Sequence, residues 1–247
     1  MDPAASLTYL RGTLFSTAGG GSGCACGVVF SITPSGSYSV VYTFKGGMDG
    51  ANPTTSLTNV NGMLYGTTAD GGDYDECTSG CGTVFKITVS GRKVVLHRFA
   101  GGADGAYPYS ALANVNGVLY GGTLEGGAGT KCNYLGCGTL FKITSSGKYS
   151  VLHTFAGYPN DGSNPQGGMI ELNGILYGTT DAGGTGCPTC GTVFKIRPSG
   201  KGYRVIHNFQ GYPSDGEDVS AALTPVNGEF YGAAGNGGHT APARSFK

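Results

Sequence analysis

The chain repeats itself, and the period of the repeat limits what it can fold into. Asn61-Gly-Met-Leu-Tyr-Gly66 returns as Asn116-Gly-Val-Leu-Tyr-Gly121, Asn173-Gly-Ile-Leu-Tyr-Gly178 and Asn227-Gly-Glu-Phe-Tyr-Gly232, and Arg11-Gly-Thr-Leu-Phe-Ser16 is a diverged fifth copy. Their glycines, Gly12, Gly62, Gly117, Gly174 and Gly228, stand 50, 55, 57 and 54 residues apart. A second phrase follows in four copies, as in Gly82-Thr-Val-Phe-Lys-Ile87 and Gly191-Thr-Val-Phe-Lys-Ile196, and a third ends at Phe44, Phe99, Phe155 and Phe209.

One unit reads as four strands. Strand A covers 57–60, and an Asn-Gly pair then supplies the two positive φ values of a type I′ hairpin. Strand B covers 63–68. A loop bearing glycines and cysteines leads to strand C over 83–88, a Ser-Gly turn leads to strand D over 93–99, and an Asp-Gly loop reaches the next unit. Four short strands per unit of ~50 residues suit the blades of a β-propeller better than solenoid coils, which have shorter repeats. The expected fold is therefore all-β: a single propeller domain over 1–247 with repeats near 7–56, 57–111, 112–169, 170–222 and 223–247, the last incomplete. Arg11 in place of Asn weakens the first turn. The first residues read as the end of an Asp-Gly loop, and Phe246-Lys247 aligns with strand C. The ring is expected to close with Leu7–Leu10 beside the blade holding Leu223–Val226; the rival is that the chain belongs to a larger array.

Composition removes several alternatives. The 48 glycines follow no three-residue period, which excludes collagen. The formal net charge is zero, against the basic excess of nucleic-acid binders. No apolar run approaches the ~20 residues of a membrane-spanning helix. The eight cysteines fall in four tight pairs: Cys24/Cys26, Cys77/Cys81, Cys132/Cys137 and Cys187/Cys190. Their spacers vary, so they read as disulfides within single loops rather than zinc ligands. Disulfides imply an oxidising compartment, and the expected location is extracellular or at the cell surface, although no signal peptide is visible at the first residues.

The order of Asn-Gly turn, Leu-Tyr-Gly strand, glycine-rich loop and Phe-x-Ile strand resembles kelch repeats. The pairing of NGxLYG with CGTVFKI resembles more closely the GloVer tandem repeats of bacterial secreted and surface proteins. That resemblance implies a repeat propeller and no particular reaction.

In a four-stranded meander the B–C and D–A loops share one face, and here they are the long, variable ones, the usual seat of binding. Twelve of the 15 acidic residues lie in them. Such a face attracts cationic ligands. Asp49, Asp104, Asp161 and Asp215 recur in every blade and read as turn chemistry. Asp70, Asp73, Asp75 and Glu76 occur in one loop only, and they are the candidates for ligand contact or a calcium ion, with Asp70, Asp73 and Asp75 as ligands. Tyr74 and Tyr134 offer flat amphipathic rings for sugars or aromatic ligands. His97, His153 and His207 share one strand D position, in line with a Val and a Phe, and read as structural. His239, outside the repeat pattern, is the one candidate catalytic histidine. The leading expectation is a binding module for a carbohydrate, small molecule or cation. The alternatives are a secreted hydrolase or lyase built around the acidic loops and His239, and a structural subunit that self-associates through an open blade edge.

Overall fold

A computed structural model describes residues 5–20, 26–127, 132, 135–211, 213 and 215–237. The first blade is β1 (Thr8–Leu10), β2 (Thr13–Ala18), β3 (Val28–Ile32) and β4 (Tyr38–Thr43). The second is β5 (Thr58–Val60), β6 (Met63–Thr68), β7 (Thr83–Ile87) and β8 (Lys93–Arg98); the third is β9 (Ala113–Val115), β10 (Val118–Thr123), β11 (Thr139–Thr144) and β12 (Tyr149–Thr154). A short ribbon joins β13 (Gly162–Ser163) to β16 (Ala182–Gly183) beside the fourth blade, β14 (Ile170–Leu172), β15 (Ile175–Thr180), β17 (Thr192–Ile196) and β18 (Arg204–Asn208). A similar ribbon, β19 (Gly216–Glu217) with β22 (Asn236–Gly237), flanks β20 (Thr224–Val226) and β21 (Glu229–Tyr231), the described part of the fifth blade. Every four-stranded sheet is an antiparallel meander. The Asn-Gly turns carry positive φ at both residues, 52° and 85° at Asn61 and Gly62. Arg11 and Gly12 adopt the same geometry, at 52° and 81°, so the substitution leaves the turn type unchanged.

First strands of successive blades adjoin. Thr8 Oγ1 donates to the Leu57 carbonyl and Thr58 Oγ1 to that of Leu112, at 2.5 and 2.6 Å. The core lies between blades rather than inside one. Leu10, Phe15, Val29 and Phe44 of the first blade pack against Leu57, Leu64, Phe85 and Ile87 of the second. The same positions recur between the second and third, and the third and fourth. Each blade thus has a leading face, built from its Leu and Phe-x-Ile residues, and a trailing face ending in the strand D phenylalanine.

A β-bulge gives the last strand both faces. Register shifts between Val84 and Phe85, opposite Val95 and His97, so one extra residue intervenes. Leu96 packs into the trailing-face cluster and His97 projects there too, while Val95 pairs with Phe85 of the leading face. Simple alternation, which places Val and His on one shared face, fails at this bulge; it recurs in the first, third and fourth blades.

The bulge aims a repeated polar clasp. His97, His153 and His207 bond Asp104, Asp161 and Asp215 of their own D–A loops through Nε2, at 3.0, 3.1 and 2.9 Å. In the first blade Tyr42 donates to Asp49 instead, at 2.9 Å. The aspartates also accept backbone N–H groups, from Lys45, Ala100 and Ala156. The next blade then closes over the clasp. Tyr149 stacks on His97 with ring centroids 3.8 Å apart and donates to the Asp104 carbonyl. Tyr203 stacks on His153 at 3.6 Å and donates to Asp161 Oδ1. At the first seam Lys93 pairs with Asp49 at 2.8 Å and lies over the Tyr42 ring. Burial, then the Asp49 carboxylate, pushes the Tyr42 phenol up to about 12. Burial opposes ionisation of Asp49 and Asp161, yet their hydrogen bonds prevail and hold both below the ordinary aspartate value.

Three disulfides join neighbours within single B–C loops: Cys77–Cys81, Cys132–Cys137 and Cys187–Cys190. Cys26 is disulfide-bonded, and Cys24 lies outside the described residues. Each of the three lies against a left-handed glycine of the same blade's D–A loop, Gly101, Gly157 or Gly211. A Cβ at Gly157 would sit 2.4 Å from Cys132 Sγ at φ +71°. The disulfide of the B–C loop therefore packs closely against the D–A loop.

Replacing Asp161 by Asn removes the charge that His153, Tyr203 and two backbone N–H groups share, and chemical denaturation should report a loss of about 2–3 kcal/mol. The depressed aspartates make the pH dependence explicit. Their stability contribution is complete above the ordinary value of 3.8 and falls as pH drops below it toward their folded-state values, so the wild-type melting temperature should decline there, and less steeply in Asp161→Asn. Gly157→Ala should destabilise the oxidised protein by more than about 1 kcal/mol, the cost of a left-handed φ for a residue with a Cβ, and by less after reduction moves Cys132 away. An unaltered melting curve would show that the disulfide and the loop are not in close contact there.

Candidate functional site

The B–C and D–A loops share one face, and an isolated backbone bridge knits each of two such pairs together. Ala51 pairs with Asp70, and Ala106 with Glu125. This pairing lowers Asp70 and Glu125 into the face, where burial raises both carboxyls above their ordinary values. An Asn52 hydrogen bond partly offsets the shift at Asp70. Glu125 Oε2 is buried without a hydrogen-bond partner. Tyr107 and Tyr109 lie close enough to both carboxylates for their charge to raise the phenols further, after burial itself. Tyr109 remains 37% exposed, so its ring is open to a ligand.

Tyr107 stands out by its backbone. Asn52, Tyr107, Asn164 and Asp218 occupy one loop position in four blades, each with φ 57°. Asn and Asp tolerate the left-handed region, whereas a bulky ring there is strained. Strain of this kind persists where a side chain has a task. A neighbouring group repeats the theme more weakly: Gln166 Nε2 donates to Asp181 Oδ2 at 3.3 Å, and burial followed by the nearby Asp218 raises Asp181.

The residues singled out from sequence separate in space. Asp70 belongs to this cluster. Asp73 Oδ1 instead accepts the backbone N–H of Asp75, a local turn, and Tyr74, Asp75 and Glu76 are exposed, with Glu76 beside Gly101 and Gly102. Among the described residues, the side-chain oxygens of Asp70, Asp73 and Asp75 do not converge within reach of one ion. The physical reason is that Asp73 is committed to its own backbone and Asp70 turns toward Asn52. The group that does converge, Cys187, Cys190 and Glu217, has its two sulfurs joined as a disulfide and is no thiolate site. Tyr134 and His239 lie outside the described residues. His97, His153 and His207 are structural, as their clasps show. Tyr107 is one of the long-loop tyrosines that the sequence offers for sugars or aromatic ligands, whereas the grouping of Tyr107 with Tyr109, Asp70 and Glu125 was not legible there. The signal was a tyrosine at a position where the other copies carry Asn or Asp.

A cavity of about 580 Å³ opens on the opposite face, between the third and fourth blades, lined by Asn114, Val118, Tyr120, Glu171 and Pro198. Its carboxylate, Glu171, is occupied in accepting the Gly174 N–H.

The fold has known counterparts. The exo-β-1,3-galactanase of Phanerochaete chrysosporium is similar at a TM-score of 0.53 and 11% identity, over 94% of this chain and 56% of that one. The xyloglucan PUL GH43B protein of Bacteroides ovatus matches at 0.50 and 13%, over 94% and 47%, and a putative gluconolactonase at 0.50 and 12%, over 90% and 67%. The chain thus spans about half the length of the two carbohydrate-related structures. These likenesses establish the β-propeller fold. No curated protein sequence matches the chain. The Gloeobacter/Verrucomicrobia repeat model matches residues 74–246, including the NGxLYG and CGTVFKI phrases of three blades, and the chain belongs to that repeat family.

Proposed function

We propose that the chain is an extracellular propeller module that binds neutral carbohydrate on its long-loop face, at Asp70, Tyr107, Tyr109 and Glu125. The observation that carries this reading is the buried, unpartnered Glu125 Oε2 beside two tyrosines. A desolvated acceptor without a donor is costly, and a ligand hydroxyl supplies the missing donor. Tyrosine rings give the apolar faces of a sugar a surface to stack on. A cation fits less well, because among the described residues no three carboxylates converge there. The loop disulfides suit an oxidising, extracellular setting. Asp73, Tyr74, Asp75 and Glu76 then form an outer rim, where contact with a longer ligand is made.

Screening against an array of neutral oligosaccharides, followed by titration calorimetry, tests the proposal. Glu125→Gln should weaken binding at least about tenfold, the worth of a charge-assisted hydrogen bond, and Tyr109→Ala by a similar factor. Asp73→Asn combined with Asp75→Asn should change binding of short ligands little. No binding across the array, or full binding by Glu125→Gln, would overturn the reading. Tyr107→Asn separates task from scaffold: relief of left-handed strain, about 1 kcal/mol, is offset by the loss of the ring's packing on the core cluster between the second and third blades, so stability should change little while sugar binding falls.

A further inference from the structure

The disulfide of the fourth blade has a neighbour that the repeat does not call for. Glu217 stands at the loop position of Ala51, Ala106 and Ser163, directly after the glycine that follows each clasp aspartate. Its backbone is fixed by pairing with Asn236. Its carboxylate reaches the sulfurs of Cys187 and Cys190, and the three donor atoms all lie within 4.8 Å of one another. Among the described residues, no hydrogen bond or ion pair engages that carboxylate.

Space is left between the three donors. A Cβ at Gly211 would sit 3.0 Å from Cys190 Sγ, 3.3 Å from Glu217 Oε2 and 3.7 Å from Cys187 Sγ, so one point borders them all. Zinc bonds to sulfur and carboxylate oxygen run ~2.0–2.3 Å, so the donors need to close on an ion by about an ångström. The two-residue spacer of Cys187-Pro-Thr-Cys190 lets both cysteines chelate one ion. Access is open, since Thr185, Pro188 and Thr189 are exposed and Cys187 partly so. The second blade provides an internal control. Glu76 Oε2 and Cys81 Sγ lie 2.7 and 3.4 Å from the same point at Gly101, yet among the described residues Glu76, Cys77 and Cys81 do not converge as the fourth-blade trio does.

We infer that reduction of Cys187–Cys190 turns this trio into a zinc site, with two thiolates and the Glu217 carboxylate as protein ligands and water in the fourth position. Charge decides between this role and thiol exchange. A carboxylate against the sulfurs repels an incoming thiolate and disfavours the thiolate that leaves. Three negative groups around one point instead require a cation, and thiolate sulfur selects zinc over calcium or magnesium. The step balances. A phosphine supplies two electrons and is oxidised to its oxide by the oxygen of one water, whose two protons go to the sulfurs as the S–S bond breaks. The ion then displaces both thiol protons. In the oxidised chain the sulfurs are bonded to each other and the site is closed, so zinc occupancy follows redox state.

The test uses the whole chain opened with a neutral phosphine, which brings no thiol of its own. Alkylation mapped by mass spectrometry reports whether Cys187–Cys190 has opened, and circular dichroism whether the chain stays folded. Zinc titrated in competition with a chromophoric chelator should then bind to the reduced chain and not to the oxidised one. Cobalt(II) in its place should show a thiolate-to-metal charge-transfer band, which Cys187→Ser should diminish. Glu217→Gln, a surface change that spares the fold, should weaken zinc binding at least about tenfold, the lower end of the loss seen when even an outer partner of a metal site is removed. Glu76→Gln should leave it unchanged. A folded chain whose Cys187–Cys190 bond the phosphine cannot open overturns the inference, as does a chain that unfolds on reduction. So does zinc binding that is absent after reduction, equal in the oxidised chain, or equal in Glu217→Gln.

Discussion

Everything in this molecule depends on how one blade is held to the next, and an aspartate carries the polar part of that bond. It sits at the turn of each D–A loop and accepts hydrogen bonds from its own strand D and its own loop backbone. At two seams the following blade also reaches its carboxylate, through Lys93 to Asp49 and Tyr203 to Asp161; at a third Tyr149 reaches the Asp104 carbonyl. Isolated four-stranded meanders of this size have two apolar faces and no interior. Only stacking gives them a core, as expected for repeat architectures. The clasp ties those faces together by hydrogen bonds and ring stacking, and the disulfide of the neighbouring B–C loop packs against the loop that carries the aspartate.

The candidate face is a by-product of the same construction. The loops that carry clasps and disulfides emerge together, and backbone bridges between them place Asp70 and Glu125 inward, with Tyr107 and Tyr109 alongside. The scaffold satisfies the recurring aspartates fully. Among the non-recurring carboxylates, Asp70 and Glu125 are held by burial above their ordinary values, and Glu125 Oε2 has no hydrogen-bond partner.

The fold was legible because its signals are local and repeated. Asn-Gly turns, alternating strands and the Phe-x-Ile phrase each specify a piece, and the period assembles them. Strand limits over the second blade agree within a residue or so. The seam was less legible. Reading His97, His153 and His207 as structural was right, but placing them on one face with Val95, Val151 and Val205 ignored the bulge, for which no residue-level signal stood out. The candidate site was read from charge density, which favoured the exposed run of Asp73, Asp75 and Glu76. Burial, which decides the chemistry of a carboxylate, depends on the bridges between distant loops. Only the strained Tyr107 carried a sequence signal, a mismatch among otherwise equivalent positions.

The pairing rule at the seams restricts how such a chain can grow. A trailing tyrosine, Tyr42, receives a lysine, and a trailing histidine receives a tyrosine. The third blade leads with Tyr149 and trails with His153, so a tandem copy of it would match itself. The second blade leads with Lys93 and trails with His97. Two copies in series would set an ammonium over an imidazole, with no phenol ring to stack or donate. Duplication of the third or fourth blade is therefore chemically free, whereas the second blade acts as an adapter that fits in one place. The history of additions to an array of this kind should be written in which residue stands at the head of each strand D.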